Sequence, residues 1–192
     1  MSRPRLCFTL LYGKGSFHLS RNFNLQSVGN FEWLLENYEF ESISRSVDEL
    51  IILNVEREDR NFQEFIKTVN DVVKNCFMPV AVGGGIRSLD DANMLFDNGA
   101  DKIILNTAYF EDQLLVRELI EKYGAQSIIA SIDFKRDESN SEIIYTNNGS
   151  TKIDLTLSEV VKKIVEIGAG EILLNSIDRD GTGMGFDMNS LE

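Results

Sequence analysis

Histidine, proline, cysteine and tryptophan are nearly missing from this 192-residue chain, which has one His, two Pro, two Cys and one Trp. The single histidine, His18, excludes a three-histidine metal centre, and Cys7 and Cys76 stand too far apart for a metal knuckle or a disulfide framework. The expectation is a protein with no metal and no cofactor, in a reducing interior. Apolar runs never reach the roughly 18 residues of a membrane span, and the opening MSRPRLCFTLLYGKG carries no small-residue cleavage site. A cytoplasmic, soluble protein without a membrane partner is expected. Positive charge is scarce too: 19 Lys and Arg against 31 Asp and Glu give a net charge of -12, which weighs against nucleic acid and anionic membranes as ligands. The chain is 43% hydrophobic, enough to bury a full core, most simply as one domain over residues 1–192.

The apolar residues fall into short runs separated by helical patterns. Strand-like runs occur at 5–12, 48–54, 78–83, 101–107, 127–133 and 171–176, several of them apolar almost throughout, as suits strands covered on both faces. Between them, 62–76 sets Phe62, Phe65, Ile66, Val69, Val72 and Val73 on one stripe, and 89–100 does the same with Leu89, Ala92, Leu95 and Phe96. Helical patterns at 115–125 and 155–170 each end in glycine. The result is a repeated βα pattern with parallel strands, an α/β fold. VDELIILN, ADKIILNT and AGEILLNS repeat one plan, with a charge at the start of the strand and a polar residue at its end. The polar stretch 134–154 predicts a small hairpin turning at Asn148-Gly149. Two architectures fit: a doubly wound sheet, which the length favours, and an eight-stranded barrel, which needs about 250 residues.

Chemistry gathers at the predicted strand ends. Gly83-Gly84-Gly85-Ile86-Arg87-Ser88 follows a strand and precedes a helix, so backbone N–H groups can approach an anion while Ser88 caps the helix. Asn106 and Thr107 close the next strand and supply donors for the same phosphate. Asp133 ends the run SIIASID, where a buried carboxylate can move a proton. Asp178, Asp180, Thr182 and Gly183 match early positions of a calcium loop, but position twelve is Asn189 rather than a bidentate Glu. A strand-end loop that holds a polar substrate is the better reading.

AVGGGIRSLDDA (81–92), GADKIILNTA (99–108), GAQSIIASIDFKR (124–136) and GAGEILLNSIDRDGTGMGFD (168–187) together resemble the cyclase subunit of imidazole glycerol phosphate synthase, from about Arg5 to Leu191. That family is a (β/α)₈ TIM barrel, so the resemblance implies a barrel-type domain truncated to about its first six βα units and incomplete at its C-terminus. It implies a glutaminase partner at the N-terminal face of the barrel and ammonia that crosses to a phosphorylated ribulosyl-formimino substrate. The residue roles follow by position. Asp133 becomes a catalytic aspartate, Gly84, Gly85, Asn106 and Thr107 hold one phosphate, and Asn175, Ser176, Asp178 and Asp180 form the substrate loop. Arg5, Glu49, Lys102 and Glu171 become the ammonia gate, and Asp101 faces the glutaminase.

The sequence departs from the family at three points. Leu11 stands where the second catalytic aspartate belongs, Leu19 where a lysine belongs, and Asn54 where an aspartate is usual. Arg57, Glu58, Asp59 and Arg60 occupy a loop that normally touches substrate. An intact gate beside an altered catalytic end resembles a divergent branch found with surface-sugar genes, in which the barrel passes ammonia to a separate sugar amidotransferase. Three functions are therefore carried forward: a lyase-type cyclase subunit of histidine biosynthesis, an ammonia-channel subunit that activates the glutaminase, and a phosphate-binding βα domain without ammonia transfer. Six strands would also leave two open sheet edges, so self-association through them is a further expectation.

Overall fold

The computed structural model describes residues 4–58 and 60–191. By its internal contacts the chain forms two compact units, one of residues 1–18 with 27–104 and one of residues 19–26 with 105–192.

In the first unit the apolar runs become the parallel strands β1 (Cys7–Gly13), β4 (Glu49–Asn54), β5 (Val80–Gly83) and all but the last residue of β6 (Lys102–Leu105). Cys7 pairs with Glu49 and Tyr12 with Asn54, Leu50 with Val80, and Ala81 with Lys102. Two further strands, β2 (Ser16–Arg21) and β3 (Asn24–Gly29), belong partly to each unit. The first part of β2 runs antiparallel to β1 through the turn Lys14-Gly15, whose φ values of 51° and 72° are those of a two-residue hairpin. The helices are α1 (Phe31–Asn37), the single turn α2 (Phe40–Ile43), α3 (Phe62–Asn75) and α4 (Leu89–Asp97). Side chains of Asn30, Asn61 and Ser88 cap α1, α3 and α4 by accepting from backbone N–H groups of the first turn. The apolar stripe of α3 buries Phe65, Val69 and Val72 completely against a core that includes Leu50, Ile52 and Val82.

The second unit holds β7 (Ile128–Arg136), β8 (Glu142–Thr146), β9 (Thr151–Ile153) and β10 (Glu171–Ser176), with the single turn α5 (Ala108–Glu111), α6 (Gln113–Tyr123) and α7 (Leu157–Ile167). β10 lies parallel to β7 from Glu171 opposite Ile129 to Ser176 opposite Phe134. β8 pairs antiparallel with the end of β7, and β9 with β8. Asn147, Asn148 and Gly149 turn the β8–β9 hairpin with positive φ, where the sequence predicts it. β7 runs three residues beyond the predicted strand, and Phe134 within that extension is buried. α7 opens with a capping box between Thr156 and Glu159, and α6 and α7 stop at Gly124 and Gly168 as expected.

All six predicted strands and the four predicted helical patterns are found. The β2 and β3 strands and the helices α1, α2 and α5 were not foreseen. Among the described residues no helix is long and apolar enough to cross a membrane.

Candidate active site

Asp133 stands near the end of β7 with 8% of its surface exposed. Parallel pairing sets Asn175 of β10 beside it, and the Asn175 amide donates to Asp133 Oδ1 at 3.1 Å. On its other oxygen, Oδ2 accepts from Asn106 Nδ2 at 3.2 Å, and the same amide also reaches the Ser131 carbonyl at 3.2 Å. Burial pushes the carboxyl up to about 7 against the pull of the Asn175 amide, and the negative charge of Asp180 adds to the rise. The outcome is a carboxyl held by two amides that exchanges its proton near neutrality, the property a general acid–base group needs. Ser176, next along β10, has its hydroxyl oxygen buried without a hydrogen-bond partner among the described residues.

The loop after β10 is fastened by its own acids. Asp178 Oδ2 accepts from the Arg136 backbone N–H at 2.7 Å. Asp180 Oδ2 accepts from the Ser20 hydroxyl at 2.5 Å and from the Phe23 N–H at 3.0 Å. Further along, Arg136 grips Asp187 through Nε at 2.7 Å, Glu142 at 2.9 Å and the Ser190 hydroxyl at 2.8 Å. Arg136 holds the Asp187 carboxyl below the usual carboxylate range. One oxygen of Asp178 and one of Asp180 therefore order the polypeptide. Thr107, also in this unit, shares hydrogen bonds with Asn147 in the β8–β9 turn.

In the first unit the glycine loop takes the geometry that its sequence predicts. Gly84 has a φ of +95°, and a Cβ there would run into the carbonyl oxygen of Asn54, so only glycine fits. Ser88 Oγ accepts from Asp91 N at 3.1 Å, and Asp91 returns a carboxylate oxygen to Arg87 N at 2.9 Å. Arg60 lies against Gly85, its Cδ 3.0 Å from where a Cβ would stand. Its guanidinium is pushed below its ordinary value by burial and then by the like charge of Arg87, so two cations flank this loop. Asp59 lies outside the described residues. Asn54 is 2% exposed, and its Oδ1 accepts from Glu56 N at 3.0 Å.

At the opposite end of the same strands, Glu49 is almost fully buried between two cations. Arg5 Nη1 lies 3.3 Å from Glu49 Oε2 and Lys102 Nζ 2.9 Å from Oε1. Three of the four predicted gate residues are thus brought together within one unit, while Glu171 begins β10 in the other. Asp101 is exposed, and its Oδ2 accepts from Val80 N at 2.8 Å.

Two features escaped the sequence reading. Glu56, 6% exposed, accepts from the backbone N–H groups of Lys14 and Asn61 and so ties two loops together. Arg136 clamps the segment after β10. In sequence both are single charges within charged stretches, with no spacing to mark them.

A model of the histidine biosynthesis protein family matches residues 24–192. A protein of Parasynechococcus marenigrum named imidazole glycerol phosphate synthase subunit hisF2 is 43% identical over 188 residues, covering 98% of this chain and 70% of that protein. The chain belongs to the HisF-like family. The HisF subunit of Streptococcus mutans is 38% identical over 144 residues, 75% of this chain and 57% of its own length. A second hisF2 protein, from Pseudomonas aeruginosa, is 37% identical over 143 residues, 74% of this chain and 57% of its own length. This HisF-like chain therefore spans between 57% and 70% of the length of these three relatives. Its alternation of helices with parallel strands is consistent with the (β/α)₈ barrel superfamily to which HisF-like proteins belong.

Proposed function

We propose that this HisF-like chain contributes the first six βα units of a cyclase subunit in a glutamine amidotransferase complex. In that reading a glutaminase supplies ammonia, and a phosphorylated ribulosyl-formimino compound receives it in the imidazole glycerol phosphate synthase manner. The observation that supports this most is Asp133: a buried carboxyl, oriented by Asn106 and Asn175, with a proton that exchanges near pH 7. Gly84 and Gly85, with Arg60 against the loop, and Asn106 with Thr107 are the phosphate ligands of this reading. Asn175, Ser176, Asp178 and Asp180 serve it as the substrate loop.

A second reading is favoured by the contrast between Leu11 and Glu49. Leucine cannot exchange a proton, whereas Arg5, Glu49 and Lys102 keep a tight ionic cluster at the strand starts. In this reading the chain gates ammonia with Glu171, meets the glutaminase through Asp101, and feeds a separate sugar amidotransferase, as in the divergent branch of the family.

The test is glutamine hydrolysis by the cognate glutaminase with and without this chain, followed by turnover of the ribulosyl-formimino compound. Turnover that falls about 10²–10⁴-fold in Asp133→Asn supports the cyclase. Stimulated hydrolysis without turnover supports the channel subunit, and silence in both assays rejects both readings.

A further inference from the structure

Leu11 removes proton exchange from the end of β1, and the neighbouring strand brings an imidazole to the same position. Leu11 pairs directly with His18, Tyr12 with Phe17 and Gly13 with Ser16. Residues directly opposite in an antiparallel pair share a face, with Cβ atoms about 4.5–5.5 Å apart. Tyr12 and Phe17 define the helix side: both are buried, their ring centroids are 5.7 Å apart, and the Tyr12 ring lies 5.6 Å from that of Phe65 on α3. Alternation along each strand then turns Leu11 and His18 to the other face, which β4 shares through Leu53 opposite Leu11. The Lys14-Gly15 turn fixes this register, and a slip of one residue would move the imidazole to the α3 side.

The ring is also oriented. His18 Nδ1 lies 3.1 Å from the Ser16 carbonyl oxygen. A carbonyl oxygen can only accept, so Nδ1 carries a proton, and in the neutral ring the lone pair is on Nε2. Among the described residues Nε2 makes no hydrogen bond. The ring packs beside Gly13, with its Cε1 3.6 Å from where a Gly13 Cβ would stand. Glu56 Cγ lies 3.2 Å from the same point, but the Glu56 carboxylate is engaged by the N–H groups of Lys14 and Asn61. The imidazole is half-buried. An imidazole fixed through one nitrogen and open at the other is arranged as a general base.

We infer that His18 is the acid–base residue at the end of β1, doing the work of the carboxylate whose position Leu11 holds. The inference rests on the cyclase reading. As the ammonia nitrogen forms its bond to the substrate carbon it gives up a proton, which the Nε2 lone pair accepts to make an imidazolium. The imidazolium returns that proton to the leaving nitrogen as its bond to carbon breaks, and His18 ends neutral.

The experiment measures turnover of the ribulosyl-formimino compound with an ammonium salt as nitrogen source. It compares the native chain with His18→Ala, Leu11→Asp and the double variant, each with and without added imidazole. His18→Ala should lower kcat about 10²-fold or more with little change in KM, and imidazole should restore part of the loss. In the Leu11→Asp background the same change should cost less than about tenfold, because a carboxylate then shares the task. A native kcat in His18→Ala overturns the inference, as does a loss that imidazole leaves untouched and Leu11→Asp keeps in full. Because His18 is the sole histidine, its Cε1–H resonance in the native chain gives a reading independent of any variant. With imidazole glycerol phosphate as the probe that signal should shift to saturation, and product binding with an unmoved signal rejects the role. If the product does not bind and neither the native chain nor Leu11→Asp turns over, the cyclase reading itself fails and His18 falls with it.

Discussion

Strands β4 and β10 carry nearly the same text, ELIILN from Glu49 and EILLNS from Glu171, and lead different lives. β4 pairs with β1 on one side and β5 on the other, and Leu50 and Ile52 are fully buried. Among the described residues β10 pairs with β7 alone, every one of its residues keeps some exposure, and Ile172 is 40% exposed. An apolar strand code states what a strand can bury. The neighbours it finds decide what it does bury. The polar ends diverge in the same way: Asn54 braces its own loop through Glu56, whereas Asn175 holds Asp133.

The largest contrast should appear in stability. Ile52→Ala removes methylene groups from a site with no exposure and should cost about 2–5 kcal/mol, whereas Ile172→Ala on the open strand should cost about 1 kcal/mol. Urea unfolding of the two variants measures this, and equal midpoints would break the comparison.

The strand starts should differ less. Glu49→Ala leaves Lys102, a side chain with only 16% exposure, without its 2.9 Å partner. Because Arg5 is half exposed, the cost should fall below the roughly 3–5 kcal/mol of a fully buried ion pair, at about 1–3 kcal/mol. Glu171→Ala, at the half-exposed start of β10, should cost under about 1 kcal/mol. Thermal unfolding of both variants tests the ranking, and a larger loss for Glu171→Ala would reverse it.

The sequence reading succeeded where the signal was local. Runs such as ELIILN, SIIASID and EILLNS fixed all six parallel strands, and Ser88 by its hydroxyl and Gly124 and Gly168 by their backbone freedom marked helix ends. It failed where identity depends on a distant partner. SFHLSR and NLQSVG have few apolar residues, much of the second is exposed, and neither showed as a strand. Asp133 was legible as a strand-end carboxylate, but its two amide partners lie 27 and 42 residues away. Asp178 and Asp180 read as substrate ligands by position, whereas the hydrogen bonds of their carboxylates to Arg136, Ser20 and Phe23 emerge only in three dimensions. His18 was read only as an argument against metal, because the face it takes depends on the β1–β2 register.

The finest difference between the two strands lies in the proton on Asp133. Its carboxyl titrates near 7 in the folded chain and near 4 once unfolded, so between those values the folded state binds a proton that the unfolded state releases. The stability that depends on this group is therefore complete below about pH 4, falls as pH rises through about 7, and then levels off. Asn175→Ala removes the hydrogen bond that favours the carboxylate, so the midpoint should move up from about 7 and the decline should extend to higher pH. Asn54→Ala removes only a bond to the Glu56 backbone and should leave that titration where it stands. Carbon-13 NMR of the labelled Asp133 carboxyl follows the midpoint directly. An unmoved or lowered midpoint in Asn175→Ala would mean that the β10 amide does not govern the proton, and the distinction between the ends of β4 and β10 would reduce to burial alone.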